Sequence, residues 1–295
     1  MSNPYTRRFS LSGIDTGALS QDELRALARR IVDNRIQGLC FSPYMGDQGP
    51  GTAIDATQIR ARLDIVAPYT RWVRSFSCTD GHEQIPAIAA GLGLDTMVGI
   101  WLDDNLEQNE VELANALEIA RNGHATILAV GNEVLLRGDL DEEQLLDYLS
   151  RAKQGAPGVQ IGYVDAYFKF VDYPRVTAAC DVLLANCYPF WEGYPTEHAL
   201  VYMKDMYRRA CAVAGGKKVI ISETGWPNMG SAEGNAVPSF TAAVKYFIDT
   251  FQWAEEDGID IFWFSAFDET WKVAAEGDVG AYWGLWDGNG EPKYF

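Results

Sequence analysis

Eight short runs of apolar and β-branched residues recur along the chain at a spacing of about 25 to 40 residues, with amphipathic stretches between them. A run of four to eight such residues is typical of a strand that is buried on both faces. Strands that alternate with helices predict a parallel α/β sheet, and eight is the number that closes a (β/α)8 TIM barrel. The predicted strands cover residues 36–41, 72–77, 96–101, 126–131, 159–164, 181–186, 218–222 and 260–264.

Amphipathic stretches predict the helices between these strands. They cover residues 55–67, 85–92, 109–121, 142–152, 197–214 and 239–256. Ser20 and Glu23 have the spacing of a capping box, so residues 1–35 are predicted to form an N-terminal extension and helix. Residues 268–295 lack helical periodicity, which predicts an irregular C-terminal segment in place of a regular last helix. Without internal repeats or linkers, residues 1–295 are expected to form a single domain.

An open, doubly wound sheet is the competing fold. Its dinucleotide-binding form would carry G-x-G-x-x-G directly after a strand. The two glycine pairs of this chain, Gly91 with Gly93 and Gly215 with Gly216, come before predicted strands instead. They are better explained as turns that lead into strands.

The composition excludes several classes of partner. A net charge of −17 argues against nucleic acid, whose phosphates need clustered Lys and Arg, and is easiest to reconcile with a neutral ligand. No run approaches the roughly 20 apolar residues of a membrane helix. The first twelve residues have no apolar run behind Arg7 and Arg8, so no signal peptide is expected. The protein is then cytoplasmic, or secreted or periplasmic if a signal has been removed.

Metal and cofactor sites are not expected. The five cysteines show no C-x-x-C pattern, and the chain has only three histidines. In His82-Glu83 the start of a zinc-protease motif is followed by Pro86 where a second histidine would be required. The cysteines are expected to be reduced and mostly buried, and the protein is expected to be a monomer. The cysteines are Cys40, Cys78, Cys180, Cys187 and Cys211.

Two of the predicted strands lead directly to a glutamate. Glu133 follows the fourth strand and Glu223 follows the seventh, so both are expected at the carboxyl edge of the barrel, where barrel enzymes carry their chemistry. Each alone is equally well explained as a salt-bridged acid at the rim. Together, two carboxylates that face one bond are the apparatus of glycoside hydrolysis.

Several motifs in the same positions resemble those of glycoside hydrolase family 17, a family of retaining β-1,3-glucanases and glucanosyltransferases. Gly131-Asn132-Glu133 and Ser222-Glu223-Thr224-Gly225-Trp226-Pro227 are the most specific in combination. Further similar segments are Asn186-Cys187-Tyr188-Pro189-Phe190, Phe267-Asp268-Glu269-Thr270-Trp271-Lys272 and Tyr282-Trp283-Gly284-Leu285-Trp286. The resemblance runs from about Gly38 to the C-terminus.

The resemblance implies catalytic roles for the two glutamates. Glu133 would be the general acid/base, with a raised pKa, and Glu223 would be the nucleophile, which must stay ionised. Arg74 and Tyr188 are the candidates for the groups that hydrogen-bond Glu223. Asn132 is expected to hydrogen-bond the 2-hydroxyl of the sugar.

Other substrate contacts are expected around the cleft. Glu269 and Lys272 would hold hydroxyls or position the acid, with an ion pair at the rim as the alternative. Aromatic side chains that follow strand ends would stack on sugar rings, with one or both of Trp226 and Trp271 next to the cleavage point. The alternative for these two tryptophans is that they anchor their loops. The aromatic candidates are Tyr44, Phe190, Trp191, Trp226 and Trp271.

The chain departs from plant members of the family at three places. Phe76 stands where they have Tyr, Gly280 stands near the position of an additional acid, and the loop of residues 189–196 is short. These differences suggest a compact, bacterial-type member and leave the acceptor subsites open. The leading interpretation is a retaining hydrolase of β-1,3-glucan. The alternatives are a β-1,3-glucanosyltransferase, a related barrel enzyme acting on β-1,4-glycans, and a non-catalytic glucan-binding barrel.

Overall fold

The computed structural model describes residues 18–295, and in this part of the chain eight parallel strands form a closed barrel. Each strand pairs with the next in chain order, and the last returns to the first, with Gly38 opposite Phe262 and Leu39 opposite Trp263. The predicted (β/α)8 TIM barrel is therefore confirmed. The strands are β1 Ile36–Cys40, β2 Thr70–Arg74, β3 Asp95–Ile100, β4 Ile127–Asn132, β5 Gln160–Ala166, β6 Val182–Asn186, β7 Lys218–Thr224 and β8 Ile261–Trp263.

Helices cover the outside of the barrel. Two of them begin with capping boxes, in which Ser20 pairs with Glu23 and Asp141 pairs with Gln144. Each box satisfies backbone N–H groups that have no partner inside the helix. The helices are α1 Gln21–Asp33, α2 Ala56–Val66, α3 Ile85–Ala90, α4 Leu106–Arg121, α5 Val134–Arg137, α6 Glu142–Gly155, α7 Lys169–Asp172, α8 Pro174–Ala179, α9 Thr196–Val213, α10 Phe240–Asp257 and α11 Val273–Glu276.

Strand boundaries differ from the prediction by two or three residues at β2, β5 and β7. β2 ends at Arg74 rather than at residue 77, and β7 continues through Glu223 to Thr224, which pairs with Trp263 of β8. β2 starts two residues earlier than predicted, because Thr70 already pairs with Ile36 of β1. β5 extends two residues further, because Asp165 and Ala166 pair with β6. The short helices α5, α7 and α8 were not predicted, since four to six residues are too few to show a helical period.

The segment after β8 is irregular, as predicted. It contains only the short helix α11 between two 3-10 turns, Thr270–Lys272 and Asp278–Ala281. In place of a regular last helix, α1 packs beside α10, and Arg25 links it to this segment. The Arg25 guanidinium lies 4.7 Å from the centroid of the Phe240 ring, and its Nη1 donates to the Lys293 carbonyl at 2.7 Å.

Part of the predicted N-terminal extension, residues 1–17 with Arg7 and Arg8, lies outside the described residues. Within residues 18–295, none of the helices has the length and apolar character needed to span a bilayer. All five cysteines are free thiols, and all except Cys211 are buried.

Candidate active site

Glu133 follows β4 at a point where the strand is bent. The pairing of β4 with β5 shifts between Ala129 and Asn132, and Gly131 has a φ of +80°. Glu133 itself has a φ of +55°, a left-handed conformation that costs a side-chain-bearing residue about 1–2 kcal/mol. Its N–H donates to the Val164 carbonyl at 2.8 Å. Strain of this kind persists where the surroundings impose it, frequently at functional sites.

The Glu133 carboxyl is held in a polar network. Nδ2 of Asn186 donates to Oε1 of Glu133 at 2.8 Å, and Oγ of Ser222 orients that amide by donating to its Oδ1 at 2.9 Å. Burial, and next the negative charge of Glu223, raise the pKa of Glu133 to about 7, against the opposing effect of the Asn186 hydrogen bond. Near neutral pH the group can therefore both give and take a proton.

Glu223 lies near the end of β7 and is surrounded by donors. Its Oε1 accepts from Nη1 of Arg74 at 2.5 Å, and its Oε2 accepts from the Tyr188 hydroxyl at 2.8 Å. Both carboxylate and guanidinium are buried. The site thus combines a Glu223 that is held by two donors with a Glu133 whose pKa is raised.

Arg74 also connects the sugar-binding candidate Asn132 to this network. Nη2 of Arg74 donates to Oδ1 of Asn132 at 2.7 Å. Because the amide oxygen is engaged in this way, the amide N–H groups are what Asn132 offers to a ligand. One guanidinium thereby joins the ends of β2, β4 and β7.

Glu133 and Glu223 line the same cavity, which has a volume of about 430 Å³. This lies within the range of small-molecule sites. Most of its wall comes from the segments after β4, β5 and β6, and the remainder from β7, Phe264 after β8 and the end of α11. Tyr188 and Trp191, both predicted from the sequence, also line it.

A larger and more open depression of about 620 Å³ lies between α4 and α6. Its lining includes Glu110 and Arg151, which form an exposed ion pair with each other. It contains neither Glu133 nor Glu223, and no strand end contributes to it. The smaller cavity is therefore the candidate active site.

Sequence reasoning missed several residues of this cavity. Tyr167 and Phe168 directly follow β5 and obey the rule used for the other aromatic candidates, but the strand was predicted to end at Val164. Glu192 is adjacent to the predicted Trp191. Glu276 ends α11, well beyond β8, and nothing in the local sequence marks it as a site residue.

Glu269 and Lys272 form the ion pair that the sequence left as an alternative. Both are buried, and Nζ of Lys272 lies 2.5 Å from Oε2 of Glu269. Nε1 of Trp271 donates to the other oxygen, Oε1, at 3.0 Å. Nζ also lies 3.9 Å from the ring centroid of Phe264, which lines the cavity. The pair therefore packs directly behind the cavity wall rather than in it.

The prediction that Trp226 stacks on a sugar is wrong. Its side chain is 0% exposed, and its ring packs edge-on against Phe190, with centroids 5.3 Å apart. Its Nε1 donates to the Val237 carbonyl at 3.2 Å. Phe190 is also fully buried, so the same correction applies to it. Both residues are therefore packed inside the protein, where Trp226 also anchors the segment of Val237.

The other aromatic candidates are accessible. Trp191 is 38% exposed and lies at the cavity, with its ring tilted against Trp283. Tyr44 and Trp271 are partly buried and meet edge to face, with centroids 6.0 Å apart. This second pair adjoins Glu269 and is not among the residues that line the cavity.

Known proteins similar to this chain carry the names of enzymes that act on glycosidic bonds. Curated relatives include glucan 1,3-beta-glucosidases of Arthroderma benhamiae and Schizosaccharomyces pombe. The first is 28% identical over 265 residues, covering 83% of this chain and 85% of the relative. The second is 28% identical over 264 residues, covering 83% and 82%.

A solved structure also matches over most of its length. The glycoside hydrolase family 17 beta-1,3-glucanosyltransferase from Rhizomucor miehei is 28% identical, with a TM-score of 0.78 over 88% of this chain and 96% of that one. An active-site mutant of that enzyme in complex with laminaritriose matches equally well. These relatives are fungal, and they give no support to the expectation of a bacterial-type member.

A family model also matches most of the chain. The model described as the BtgE/BtgC glycoside hydrolase domain covers residues 38–284. This range contains β2 to β8, all of β1 except its first two residues, both glutamates and the cavity around them. The chain is therefore a glycosidase of the BtgE/BtgC glycoside hydrolase domain family, within glycoside hydrolase family 17.

Proposed function

We propose that the protein cleaves β-1,3-glucosidic bonds of glucans by double displacement, with Glu223 as nucleophile and Glu133 as general acid/base. The observation that carries this proposal is the contrast between the two carboxyls of one cavity. Burial and the nearby charge raise the pKa of Glu133 to about 7, whereas Arg74 and Tyr188 donate to Glu223. Retaining glycosidases need one protonated carboxyl as the general acid and one ionised carboxylate as the nucleophile. The names of the relatives support β-1,3-glucan as the substrate.

In the first step, an oxygen of the Glu223 carboxylate bonds to the anomeric carbon of the sugar. The bond from that carbon to the glycosidic oxygen breaks, and the Glu133 proton passes to the departing oxygen. Arg74 and Tyr188 hold Glu223 in place for this attack, and the amide N–H groups of Asn132 are available to the 2-hydroxyl. A hydrogen bond to that hydroxyl strengthens as the oxocarbenium-like transition state forms.

In the second step, the Glu133 carboxylate takes a proton from the acceptor. The acceptor oxygen then bonds to the anomeric carbon, and the ester bond to Glu223 breaks. The two inversions together retain the configuration of the substrate. The acceptor is water in hydrolysis and a sugar hydroxyl in transfer.

The charge of the cavity favours neutral sugars. Four carboxyl side chains line it, and no Lys or Arg is among the described residues that do so. A uronic acid would bring a further negative charge into this wall, which is unfavourable in a poorly solvated site. The carboxyl groups belong to Glu133, Glu192, Glu223 and Glu276.

Transfer to a sugar acceptor is the second candidate, favoured by the position of the aromatic residues. Tyr167 and Phe168 directly follow β5, the neighbour of β4, and line the cavity on the side of Glu133, where the departing sugar and the acceptor would bind. Sugar rings present apolar faces that pack on aromatic side chains. An acceptor site lined by aromatic side chains helps a sugar to compete with water for reaction with the glycosyl-enzyme.

The test is turnover on a panel of laminarin, lichenan, cellulose and mannan oligosaccharides, with product configuration followed by proton NMR. We expect activity on laminari-oligosaccharides with β-configured first products, and Glu223→Gln as the inactive control. Products longer than the substrate at high oligosaccharide concentration would identify the transferase. Activity confined to β-1,4-glycans, inverted products or binding without turnover would each contradict the proposal.

A further inference from the structure

Glu276 is a cavity residue to which the mechanism above assigns no step. It ends the short helix α11, and its side chain lines the cavity together with Glu223 and Phe264. Its Oε2 is shielded from solvent and makes no hydrogen bond of normal geometry within the described residues. A buried polar atom without a partner is unusual, and in a binding site it indicates a group that serves a ligand.

The carboxyl of Glu276 faces one side-chain donor among the described residues that shape its pKa, Trp283. Nε1 of Trp283 faces it and favours its charged form, but this buried N–H also makes no hydrogen bond of normal geometry. The nearby cation, Lys272, is already paired with Glu269. Burial raises the pKa of Glu276 to about 7, with Lys272 acting in the opposite direction. Among the described residues, Glu276 thus lies in the cavity wall without an ion-pair partner of its own.

The order of strands in the barrel places Glu276 on the side opposite Glu133. Glu276 belongs to the segment after β8, which neighbours β7 and β1, whereas Glu133 follows β4 across the barrel. Glu223, at the end of β7, lies next to the β8 segment, and its charge acts on Glu276. Glu133 protonates the departing sugar, so the sugar that stays on Glu223 must extend toward Glu276.

We propose that Glu276 binds hydroxyl groups of the glucosyl unit that becomes attached to Glu223, and so determines which sugar occupies that position. The assignment rests on the proposed function and names a substrate contact that the sequence motifs do not contain. A carboxylate that faces a sugar accepts hydrogen bonds from hydroxyls, singly or as a pair on adjacent carbons. It disfavours a sugar that lacks the matching hydroxyl, because the buried carboxylate is then left without a donor.

Binding is measured first, in a background that cannot turn over. Glu223→Gln serves as the parent, and the Kd of laminaritriose is compared with that of the double variants carrying Glu276→Ala or Glu276→Gln. We expect Glu276→Ala to weaken binding by about 10- to 100-fold, as loss of a hydrogen bond to a charged group predicts. Glu276→Gln keeps the shape and should lose less. Glu255→Gln, an exposed acid on α10 outside the cavity, is the matched control and should bind normally.

A series of laminaribiosides in which one hydroxyl of the non-reducing unit is replaced by hydrogen identifies the contact in active enzyme. For the wild type, removal of the hydroxyl at one or two positions should lower kcat/KM relative to the intact substrate. In Glu276→Gln, removal of the same hydroxyls should have little further effect, because the contact is already lost. Melting temperature is recorded for every variant. An unchanged Kd in both Glu276 variants, or equal sensitivity to all deoxy positions, would overturn the assignment while wild-type turnover leaves the proposed function standing. Failure of the wild type on all β-1,3-glucans overturns both.

Discussion

Arg74 and Glu223 form a buried ion pair, with Nη1 2.5 Å from Oε1 and side chains that are 1% and 7% exposed. The same guanidinium donates to the carbonyl of Ser222 at 3.1 Å and to Asn132. The cation is thus held from three sides beneath the nucleophile. It donates to the carboxylate and prevents it from turning away from the cavity.

Removing the cation should destabilise the fold. Arg74→Met leaves the buried Glu223 carboxylate without its partner, which typically costs about 3–5 kcal/mol. Urea unfolding at pH 7 measures this loss. The double variant Arg74→Met with Glu223→Gln removes the unpaired buried charge and should recover most of the lost free energy of unfolding. Equal instability of the single and double variants would mean that the lost packing, and not the charge, is responsible.

The two glutamates should respond differently to an activated substrate. An aryl glucoside with a good leaving group needs little protonation, so Glu133→Ala should still form the glycosyl-enzyme. Azide can then accept the sugar in place of a general-base-activated water. Glu223→Ala should stay inactive under the same conditions, because it cannot form the intermediate. Product analysis for glucosyl azide distinguishes them, and equal inactivity of both variants would show that the roles are assigned wrongly.

Stability should depend on pH through Glu133. Its pKa is raised to about 7 in the folded protein from an ordinary 4.5, so the folded state holds the proton more tightly than the unfolded chain. The stabilisation that comes from this tighter proton binding is fully present below about pH 4.5, and it is lost as the pH rises through about 7. Glu133→Gln should therefore raise the free energy of unfolding at pH 8, by on the order of 2 kcal/mol, and change little at pH 4. A variant that is no more stable than the wild type at pH 8 would contradict this.

Activity should fall at alkaline pH for the same reason. The protonated form of Glu133 is needed to release the departing sugar, so kcat/KM should decline as the pH rises through about 7. Glu276 also has a pKa raised to about 7 by burial, and Glu276→Gln therefore serves as the discriminating variant. If the decline comes from Glu133, that variant keeps it. If the decline in kcat/KM disappears in Glu276→Gln, the deprotonation of Glu276 and not that of Glu133 causes it.

Two tryptophans that look alike in sequence should behave in opposite ways. Trp226→Ala removes a fully buried ring and should destabilise the fold by about 3–5 kcal/mol. Trp191→Ala removes a partly exposed ring at the cavity and should lower kcat/KM about ten-fold or more with a small change in melting temperature. Both quantities are measured on both variants. Loss of stability in Trp191→Ala without loss of kcat/KM would exclude it as a sugar contact.

The amino-acid sequence by itself determined the barrel and the positions of its two glutamates. Buried strands are marked by local runs of apolar residues, and the point where a run stops is visible without the fold. Glu133 and Glu223 stand at such points, so their meeting at one edge follows from parallel strands alone. The first helix was likewise marked locally, by the capping box of Ser20 and Glu23.

Only the tertiary structure decided which side chains reach the cavity. Trp191 and Trp226 both follow strand ends, but the packing of Phe190 from another loop buries Trp226 completely. Glu276 enters the wall because an irregular segment returns to the mouth after β8, and no periodic pattern describes that path. Exposure depends on contacts between residues far apart in the chain. A local sequence pattern does not show these contacts, because they form only when the barrel closes and brings distant segments together.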